Sequence, residues 1–351
     1  MTPDLTLRPI HVALASYGMS GAVFHAPLLA NHPGYVLHSV CERSTQVVRA
    51  RYPGVQSVVH FDDLLYDPEV ELLIVNTPDI THFELAHKAL KAGKHVVVEK
   101  PFVRSTGQAE ELISLAAHKQ LILSVFHNRR WDSGALTVKK LLAEERLGRL
   151  VEFQSNYTRF RPEIQSGTWK EDGSVTDILW NLGSHLIDET LSLFGMPDSV
   201  SADLDILRRS GSIVDYACVR LFYEKMVATL RATYLSCEPD PRYVLHGERA
   251  SFVKYGEDPQ EAMLKQGLYP APGWGEEPPS FYGTLHTFME GNHHYETIPT
   301  LPGNYKAFYD GLFEAIRMGG PLPVTPEEAT SVIRLIEAAI ESHKTGRRIS
   351  L

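Results

Sequence analysis

The chain has 351 residues, of which 43% are hydrophobic and 22% charged, a composition typical of a globular protein large enough for two cores. It carries 34 basic and 43 acidic residues, a formal charge of -9 without any block of like charges, which argues against nucleic acid and anionic membranes as partners. No apolar run is long enough to cross a bilayer and no secretory signal pattern is present, so we expect a soluble, cytoplasmic protein.

Short apolar runs alternate with helical segments from residue 8 to about 126. The runs are HVALA, YVLHSVC, VQSVVHF, ELLIVNTP, KHVVVEKP and LILSVF. Strands that are apolar at every position are covered on both faces, as in a parallel sheet wrapped by helices. The pattern therefore predicts an α/β fold whose residues 1-126 form a Rossmann-like, doubly wound dinucleotide-binding domain.

The first strand leads into a loop that nearly matches the dinucleotide fingerprint G-x-G-x-x-G. Ser16 takes the first glycine place, and Gly18 and Gly21 take the second and third. A small residue serves at the first place if its backbone needs no positive φ. We expect Ser16, Gly18 and Gly21 to bind the dinucleotide pyrophosphate at the N-terminus of the first helix.

Two charged residues end the second predicted strand. Glu42 lies 21 positions after Gly21, where an acidic side chain can bond to the adenosine ribose, and Arg43 follows it. A carboxylate disfavours a 2′-phosphate, whereas a guanidinium can pair with one or stack on adenine. The pair Glu42-Arg43 therefore leaves the choice between NAD and NADP open and favours NAD slightly. The alternative is that both residues are solvated charges on the surface.

The turn after the fourth predicted strand contains Thr77, Pro78 and His82. In open α/β sheets ligands bind at the carboxyl ends of the strands. We therefore expect these three residues to contact the cofactor.

The pattern changes after residue 145, where polar residues alternate with apolar or aromatic ones. The segments are LVEFQSNYTRF, VDYACVRLFY, KMVATLRATYL, RYVLHGERASFVKY and FYGTLHTFM. They predict a second domain at 127-351 with a large open sheet of mostly antiparallel strands. Its wet face favours a homo-oligomer, a dimer or a tetramer, through that sheet. A terminal helix at about 326-345 is predicted, and packing of that helix on the first domain is one option.

Six segments carry a resemblance to a known family. They are FHAPLL, NTPDITHFELA, SVFHNRRWDS, NLGSHLIDETLSLFG, RYVLHGERASFVKYGEDPQE and PGNYKAFYDGL. The segment AGKHVVVEKP adds Glu99, Lys100 and Pro101 at the edge of the fifth strand. Together they resemble the glucose-fructose oxidoreductase and inositol dehydrogenase (Gfo/Idh/MocA) family, and most closely its NADP-dependent scyllo-inositol dehydrogenases. The similarity spans nearly the whole chain.

The resemblance implies hydride transfer between NAD or NADP and a carbon of a polyol or sugar. Lys100 matches the family lysine that binds the substrate hydroxyl and the cofactor, with Glu99 beside it in the cofactor site. His185 matches the proton-transferring histidine. Asn181 falls four residues earlier, where many members carry aspartate.

These residue types suit oxidation of a secondary alcohol. An imidazole such as that of His185 can remove the hydroxyl proton near neutral pH, and a lysine such as Lys100 can stabilise the developing alkoxide. Asn181 can hydrogen-bond but supplies no negative charge for an imidazolium. The alternatives are that Lys100 is a surface lysine at the end of a strand and that His185 is a histidine of the core.

The segment after the sixth strand crosses between the predicted domains. The resemblance places it beside nicotinamide and substrate, with Asn128 at the cofactor and Arg129 and Trp131 at the substrate. An ion-pair cluster between domains is the alternative. Further candidates for binding substrate hydroxyls are Tyr157, Asp188 and Tyr305.

No metal site is expected, because the adjacent His293 and His294 would point to opposite faces of a strand. The sequence predicts an NAD(P)-dependent dehydrogenase of a cyclic polyol or sugar, with an inositol as the best single substrate. Two alternatives stay open. One is a dinucleotide-sensing regulator without turnover, which Ser16 and Asn181 allow. The other is a biliverdin-reductase-like reductase of a conjugated double bond, which Lys100 and His185 disfavour.

Overall fold

The computed structural model describes residues 7–44, 46–164 and 177–351, which group into two compact units. The first unit takes Met1–Asn128, Gln260–Trp274 and Asn304–Thr330. The second takes Arg129–Pro259, Gly275–Gly303 and Ser331–Leu351. The sequence predicts a single boundary near residue 126, whereas the structure adds two later segments to the first unit.

In the described residues the strands are β1 (Ile10–Leu14), β2 (Tyr35–Cys41), β3 (Gln56–Val58), β4 (Leu72–Val75), β5 (His95–Val98), β6 (Leu123–Val125), β7 (Leu150–Thr158), β8 (Ser199–Asp205), β9 (Tyr216–Tyr223), β10 (Met226–Thr233), β11 (Tyr243–Gly247), β12 (Ala250–Lys254), β13 (Gly283–Met289), β14 (Asn292–Ile298) and β15 (Ile349–Ser350). The α-helices are α1 (Ala26–Ala30), α2 (Val48–Arg51), α3 (Phe61–Tyr66), α4 (His82–Lys91), α5 (Thr106–Lys119), α6 (Ser133–Ala143), α7 (Ser184–Phe194), α8 (Gln260–Lys265), α9 (Lys306–Met318) and α10 (Pro326–Thr345). Turns of π-helix at Gly21–His25 and Leu179–Gly183 run directly into α1 and α7.

The first unit is built on a parallel sheet with strand order β3-β2-β1-β4-β5-β6. The strands β4 and β6 are buried at every position, as expected for strands covered on both faces. Helix α9 belongs to this unit because its aromatic side chains pack on the end of α1 and the start of β2. Tyr309 and Phe313 lie within ring contact of Tyr35. The Rossmann-like prediction is confirmed.

The second unit is built on a nine-stranded sheet with order β14-β13-β12-β11-β7-β10-β9-β8-β15. Only the β7–β10 pair is parallel among these described strands, which confirms the mostly antiparallel sheet. Helix α7 packs on β7, where the Phe194 ring meets the Phe153 ring edge-on at 5.2 Å between centroids. This packing places His185 over the face of the sheet that carries Phe153 and Tyr157.

Three strands of this sheet lie outside the segments whose alternation predicts strands, namely the edge strands β14 and β15 and the strand β8 beside β15. Strand β14 is exposed at every position except Ile298, so it has little hydrophobic signal. The predicted terminal helix forms as α10, and Gly346 follows it with a φ of +65°. Among the described residues, no helix combines the length and apolar character needed to span a membrane.

Candidate active site

Four neighbouring strands of the first unit bring their carboxyl ends to one edge of the sheet. Ser16 follows β1, Asn76 follows β4, Lys100 follows β5 and Asn128 follows β6. In open α/β sheets this edge is where ligands bind. The structure therefore brings the predicted cofactor residues of the first unit to one side of its sheet.

The loop after β1 is held by a pair of hydrogen bonds to Asn76. The amide N–H of Ser16 donates to Asn76 Oδ1 at 2.9 Å, and Asn76 Nδ2 donates to the Ser16 carbonyl at 2.7 Å. Ser16 Oγ also accepts from the Gly18 N–H at 3.1 Å. Among the described residues Ser16 is not one of those with a positive φ, so glycine is not required at this place.

The two glycines of the fingerprint differ in what surrounds them. A Cβ at Gly21 would clash with the Ser16 carbonyl and lie 2.8 Å from Asn76 Nδ2, because the helix passes close to the strand. A Cβ at Gly18 would meet only Ser16 Oγ, at 3.4 Å, and Gly18 is exposed. The open side at Gly18 leaves room for close approach of a pyrophosphate, so the loop fits a dinucleotide.

Glu42 faces into the protein. Its carboxylate accepts hydrogen bonds from the Val47 N–H at 2.9 Å and from Ser57 Oγ at 2.8 Å, and the residue is 5% exposed. These donors orient the carboxylate toward the N-terminus of α2, which is a favourable place for negative charge. Glu42 is therefore engaged by its own unit instead of being presented to a ribose, whereas Arg43 beside it is exposed.

The turn after β4 is fixed by His82. Its Nδ1 lies 2.9 Å from the Pro101 carbonyl oxygen and its Nε2 lies 2.9 Å from the Thr77 carbonyl oxygen. Thr77 is half-buried and bonded to Thr81, and Pro78 is exposed. His82 itself is 1% exposed, so its position favours a role in joining two loops of the edge over direct contact with the cofactor.

Lys100 begins the loop after β5, next to a buried carboxylate. Its backbone N–H donates to Glu99 Oε2 at 3.0 Å. Burial alone raises the pKa of Glu99, but the hydrogen bond and charge of His25, followed by the charges of Lys100 and His82, lower that pKa below its ordinary value. Glu99 is therefore a carboxylate at neutral pH, and its negative charge faces the lysine.

His185 lies in the first turn of α7 in the second unit and is 6% exposed. Asn181 precedes it within the turn of π-helix Leu179–Gly183 and is half-buried. Turns of π-helix are often found at functional sites. The Tyr157 ring, on β7, lies edge-on to the imidazole at 6.4 Å between centroids.

Two of the predicted substrate residues of the second unit, Arg129 and Asp188, are each held in an ion pair. Arg130 grips Asp188 with two nitrogens, Nη2 at 2.7 Å from Oδ1 and Nε at 3.0 Å from Oδ2. Arg129 pairs with Asp132 at 3.3 Å, and the Tyr157 hydroxyl lies 3.5 Å from Asp132. Arg129, Arg130 and the half-buried Trp131 lie on one short 3-10 helical turn, Asn128–Trp131.

Three predicted substrate residues are buried, namely Asp188 and the two tyrosines. Tyr157 is 1% exposed, with the guanidinium groups of Arg129 and Arg242 over its ring at 5.4 Å and 4.1 Å. Tyr305 lies in the first unit, where it is fully buried and its N–H donates to Gln260 Oε1 at 2.7 Å. Their burial favours packing and support of the site over contact with substrate.

Some residues that contact the predicted ones within the first or the second unit have no role in the sequence analysis. They are His25, Asn76, Glu189, Arg242 and Tyr309. Glu189 and Arg242 form a buried ion pair at 2.6 Å under Tyr157, and burial raises the pKa of Glu189 despite the Arg242 charge. The sequence could have identified Glu189, because a charged residue inside an apolar helix needs a buried partner. Asn76 carried a signal of its own, since it directly follows an apolar strand.

Comparison with known proteins gives the family. Residues 10–127 match the oxidoreductase family described as an NAD-binding Rossmann fold, and residues 139–351 match its C-terminal alpha/beta domain. The scyllo-inositol 2-dehydrogenase (NADP(+)) IolW of Bacillus subtilis is 42% identical over 97% of this chain and 96% of its own length.

Solved structures agree with the sequence relatives. The oxidoreductase YvaA from Bacillus subtilis has a TM-score of 0.94 at 42% identity, with 98% of each chain covered. An oxidoreductase from Bacteroides fragilis has a TM-score of 0.90 at 45% identity, with 98% of this chain and 100% of that chain covered. Because both family descriptions match in order over most of its length, the chain belongs to the Gfo/Idh/MocA oxidoreductases and carries their NAD-binding Rossmann domain and C-terminal α/β domain.

Proposed function

We propose that this oxidoreductase transfers hydride between NADP and a secondary alcohol of a cyclic polyol, with an inositol as substrate. The observation that carries the proposal is the placement of Lys100 beside the carboxylate Glu99 at the ligand-binding edge of the Rossmann sheet. The name of IolW, which is similar over 97% of the chain, supports an inositol as the first substrate to test.

Each catalytic residue has one task in this proposal. Bound nicotinamide supplies the hydride acceptor. The Lys100 ammonium binds the substrate hydroxyl and stabilises the alkoxide as the proton leaves. His185 accepts that proton. Asn181 supports the imidazole of His185 by a hydrogen bond and adds no charge. The retention of a lysine and a histidine with these tasks favours a dehydrogenase over a regulator without turnover.

The orientation of Glu42 supports NADP as the cofactor. Its carboxylate is bonded to Val47 and Ser57, so it does not offer negative charge to a 2′-phosphate. The exposed Arg43 can pair with that phosphate through charge-assisted hydrogen bonds. The sequence alone favours NAD slightly, because it identifies a carboxylate at this place without its direction.

The substrate site is proposed at the short helical turn that contains Arg129 and Trp131. Arg129 can donate to several hydroxyls and the indole of Trp131 can pack on the apolar face of a ring. Asp188 is 2% exposed and both its carboxylate oxygens are paired with Arg130, so its proposed part is to hold the Arg130 guanidinium in place. These groups suit a ring with several hydroxyls and no charge.

The test is the change in absorbance at 340 nm with NAD and with NADP, across inositols, glucose, xylose and related sugars. We expect reduction of NADP by an inositol, loss of turnover in Lys100→Met and His185→Asn, and unchanged NADPH binding in His185→Asn. Silence across the panel with tight NADPH binding would favour the regulator.

Two further parts of the proposal concern the state of the protein in the cell. The exposed Phe288 and Tyr295 on β13 and β14 support self-association through the second sheet, which light scattering tests. The free thiols Cys41, Cys218 and Cys237 support a reducing, cytoplasmic location, which cell fractionation tests.

A further inference from the structure

A buried chain of three side chains ends at the backbone of Lys100. The Tyr309 hydroxyl lies 2.6 Å from His25 Nδ1, and His25 Nε2 lies 3.0 Å from Glu99 Oε1. The other carboxylate oxygen, Oε2, accepts the Lys100 N–H at 3.0 Å. The three side chains come from α9, the turn before α1 and the end of β5.

The partners of each atom fix the direction of these hydrogen bonds. Glu99 is a carboxylate and accepts only, so His25 must carry its proton on Nε2. His25 Nδ1 then accepts from Tyr309, whose pKa burial raises well above its ordinary value and which therefore stays a donor. Every polar side-chain atom of the three residues then has a hydrogen-bond partner.

The surroundings hold this arrangement rigidly. The His25 side chain is fully buried, with its ring 4.6 Å from that of Phe126. The Tyr35 hydroxyl donates to the Tyr309 carbonyl at 2.8 Å and fixes that part of α9. An apolar side chain could fill the space of a buried histidine at lower desolvation cost, so stability alone does not explain these polar groups.

We propose that Tyr309 and His25 are positioning residues for Lys100. They hold Glu99 in one orientation, and Glu99 fixes the backbone of Lys100 and places a negative charge beside its ammonium. This inference rests on the proposed catalytic role of Lys100. It assigns a task to two residues that touch neither cofactor nor substrate in the proposed reaction.

The same unit contains a matched control, the pair His32–Asp310. His32 Nε2 lies 2.9 Å from Asp310 Oδ1, and Nδ1 accepts from the Gly34 N–H at 2.9 Å. The His32 side chain is also fully buried, between the same helix α9 and the start of β2. This pair has the same chemistry as His25–Glu99, and its other described hydrogen bonds go to Gly34 and Lys306.

The experiment compares His25→Leu, His25→Gln, Tyr309→Phe and His32→Leu. Glutamine keeps an N–H donor at the distance of Nε2, so it tests rescue of the bond to Glu99. We measure kcat, KM and the pH profile of kcat. We also measure the reactivity of the Lys100 amine toward acetic anhydride against pH, by mass spectrometry of the apoprotein with the exposed Lys88 as reference.

We expect His25→Leu to lower kcat about 10- to 100-fold with little change in KM, because small misplacements of catalytic groups cost that much. Its Lys100 amine should become reactive at lower pH, since the ammonium loses a fixed negative partner. His25→Gln should retain most activity, Tyr309→Phe should fall between, and His32→Leu should lose thermal stability only.

Equal kinetics and equal Lys100 labelling in His25→Leu and His32→Leu would overturn the inference. If His25→Leu does not fold, a Tyr309→Phe variant as active as the wild type, with unchanged labelling, would overturn it instead. If the wild type turns over no polyol, the proposed function fails by itself, and the labelling of Lys100 still decides whether His25 controls its environment.

Discussion

Ser16 and Asn76, which follow neighbouring strands of the first unit, are joined by two hydrogen bonds of opposite direction. The amide of Asn76 accepts from the Ser16 N–H at 2.9 Å and donates to the Ser16 carbonyl at 2.7 Å. The dinucleotide loop is thus fixed by the side chain that directly follows β4, which explains how the loop keeps its shape with serine in the first glycine place.

Asn76→Ala should weaken dinucleotide binding. The substitution leaves the N–H and the carbonyl of Ser16 without their partner in a mostly buried place, which costs about 1–3 kcal/mol. We expect the Kd for NADPH, measured by fluorescence titration, to rise about tenfold. The control is Asn31→Ala, which removes an amide that donates to the Pro27 carbonyl at α1, away from the loop. This variant should leave the Kd for NADPH unchanged. Equal Kd values for the two variants would contradict the prediction.

Arg43→Ala should change cofactor choice. Loss of a guanidinium paired with a 2′-phosphate should raise the Kd for NADPH about tenfold or more and weaken its dependence on salt. The Kd for NADH should change by less than about twofold, because NADH has no such phosphate. Arg49→Ala, an exposed arginine of α2, is the control. An equal effect of Arg43→Ala on both cofactors would refute the role.

Asn181→Asp should move the pH profile of oxidation. A carboxylate near His185 favours the protonated imidazole, so the acid limb of kcat/KM should move to higher pH, by about half a unit or more. Asn181→Ala adds no charge and should leave the position of this limb unchanged. A profile of Asn181→Asp that overlays the wild type would show that the position does not act on the base.

The second unit contains a fully buried ion pair, Lys254–Glu277. The ammonium lies 2.8 Å from Glu277 Oε2, and burial lowers the pKa of Lys254 against the attraction of Glu277. Lys254→Met should reduce the free energy of unfolding by about 3–5 kcal/mol, since it leaves a buried carboxylate.

Urea denaturation measures this effect, and a double variant tests its cause. Lys254→Met with Glu277→Leu should cost less than the sum of the single changes, because no unpaired charge remains. The exposed pair Lys265–Glu261 is the control, and Lys265→Ala should cost less than about 1 kcal/mol. Strict additivity in the buried pair would contradict the explanation.

Glu99 should contribute to stability at neutral pH and not in acid. Its pKa in the folded protein lies below its ordinary value, which burial alone would raise but which His25 and Lys100 lower. Its stabilisation is therefore complete above the unfolded pKa of about 4.3 and is lost as pH falls through the folded pKa.

Measuring the melting temperature as a function of pH tests the direction of this change in stability. Between about pH 5 and pH 3 the wild type should lose more of its Tm than Glu99→Gln does, so the two curves converge. Glu69→Gln, an exposed glutamate of the same unit, should follow the wild type. Curves that stay parallel would show that Glu99 does not titrate as inferred.

The sequence by itself determined the order and type of most elements. Runs such as LLIV predict buried parallel strands because every position is apolar, and the alternation in VDYACVRLFY predicts an antiparallel strand with one wet face. It also located Lys100 and His185, since both lie in segments that resemble a family. The exposed residues of β14 give no hydrophobic pattern, so the sequence places only His293 and His294 on a strand there.

Only the tertiary structure decided which way the polar side chains point and what they bind. His25 bonds residues 74 and 284 positions away in the chain, and no local pattern encodes such partners. Glu42 was found by its spacing, but its direction depends on Val47 and Ser57, which donate to it. Periodicity reports which face of an element is buried. The partners of a buried polar group follow from the packing of distant segments, because desolvation makes each such group find a hydrogen bond there.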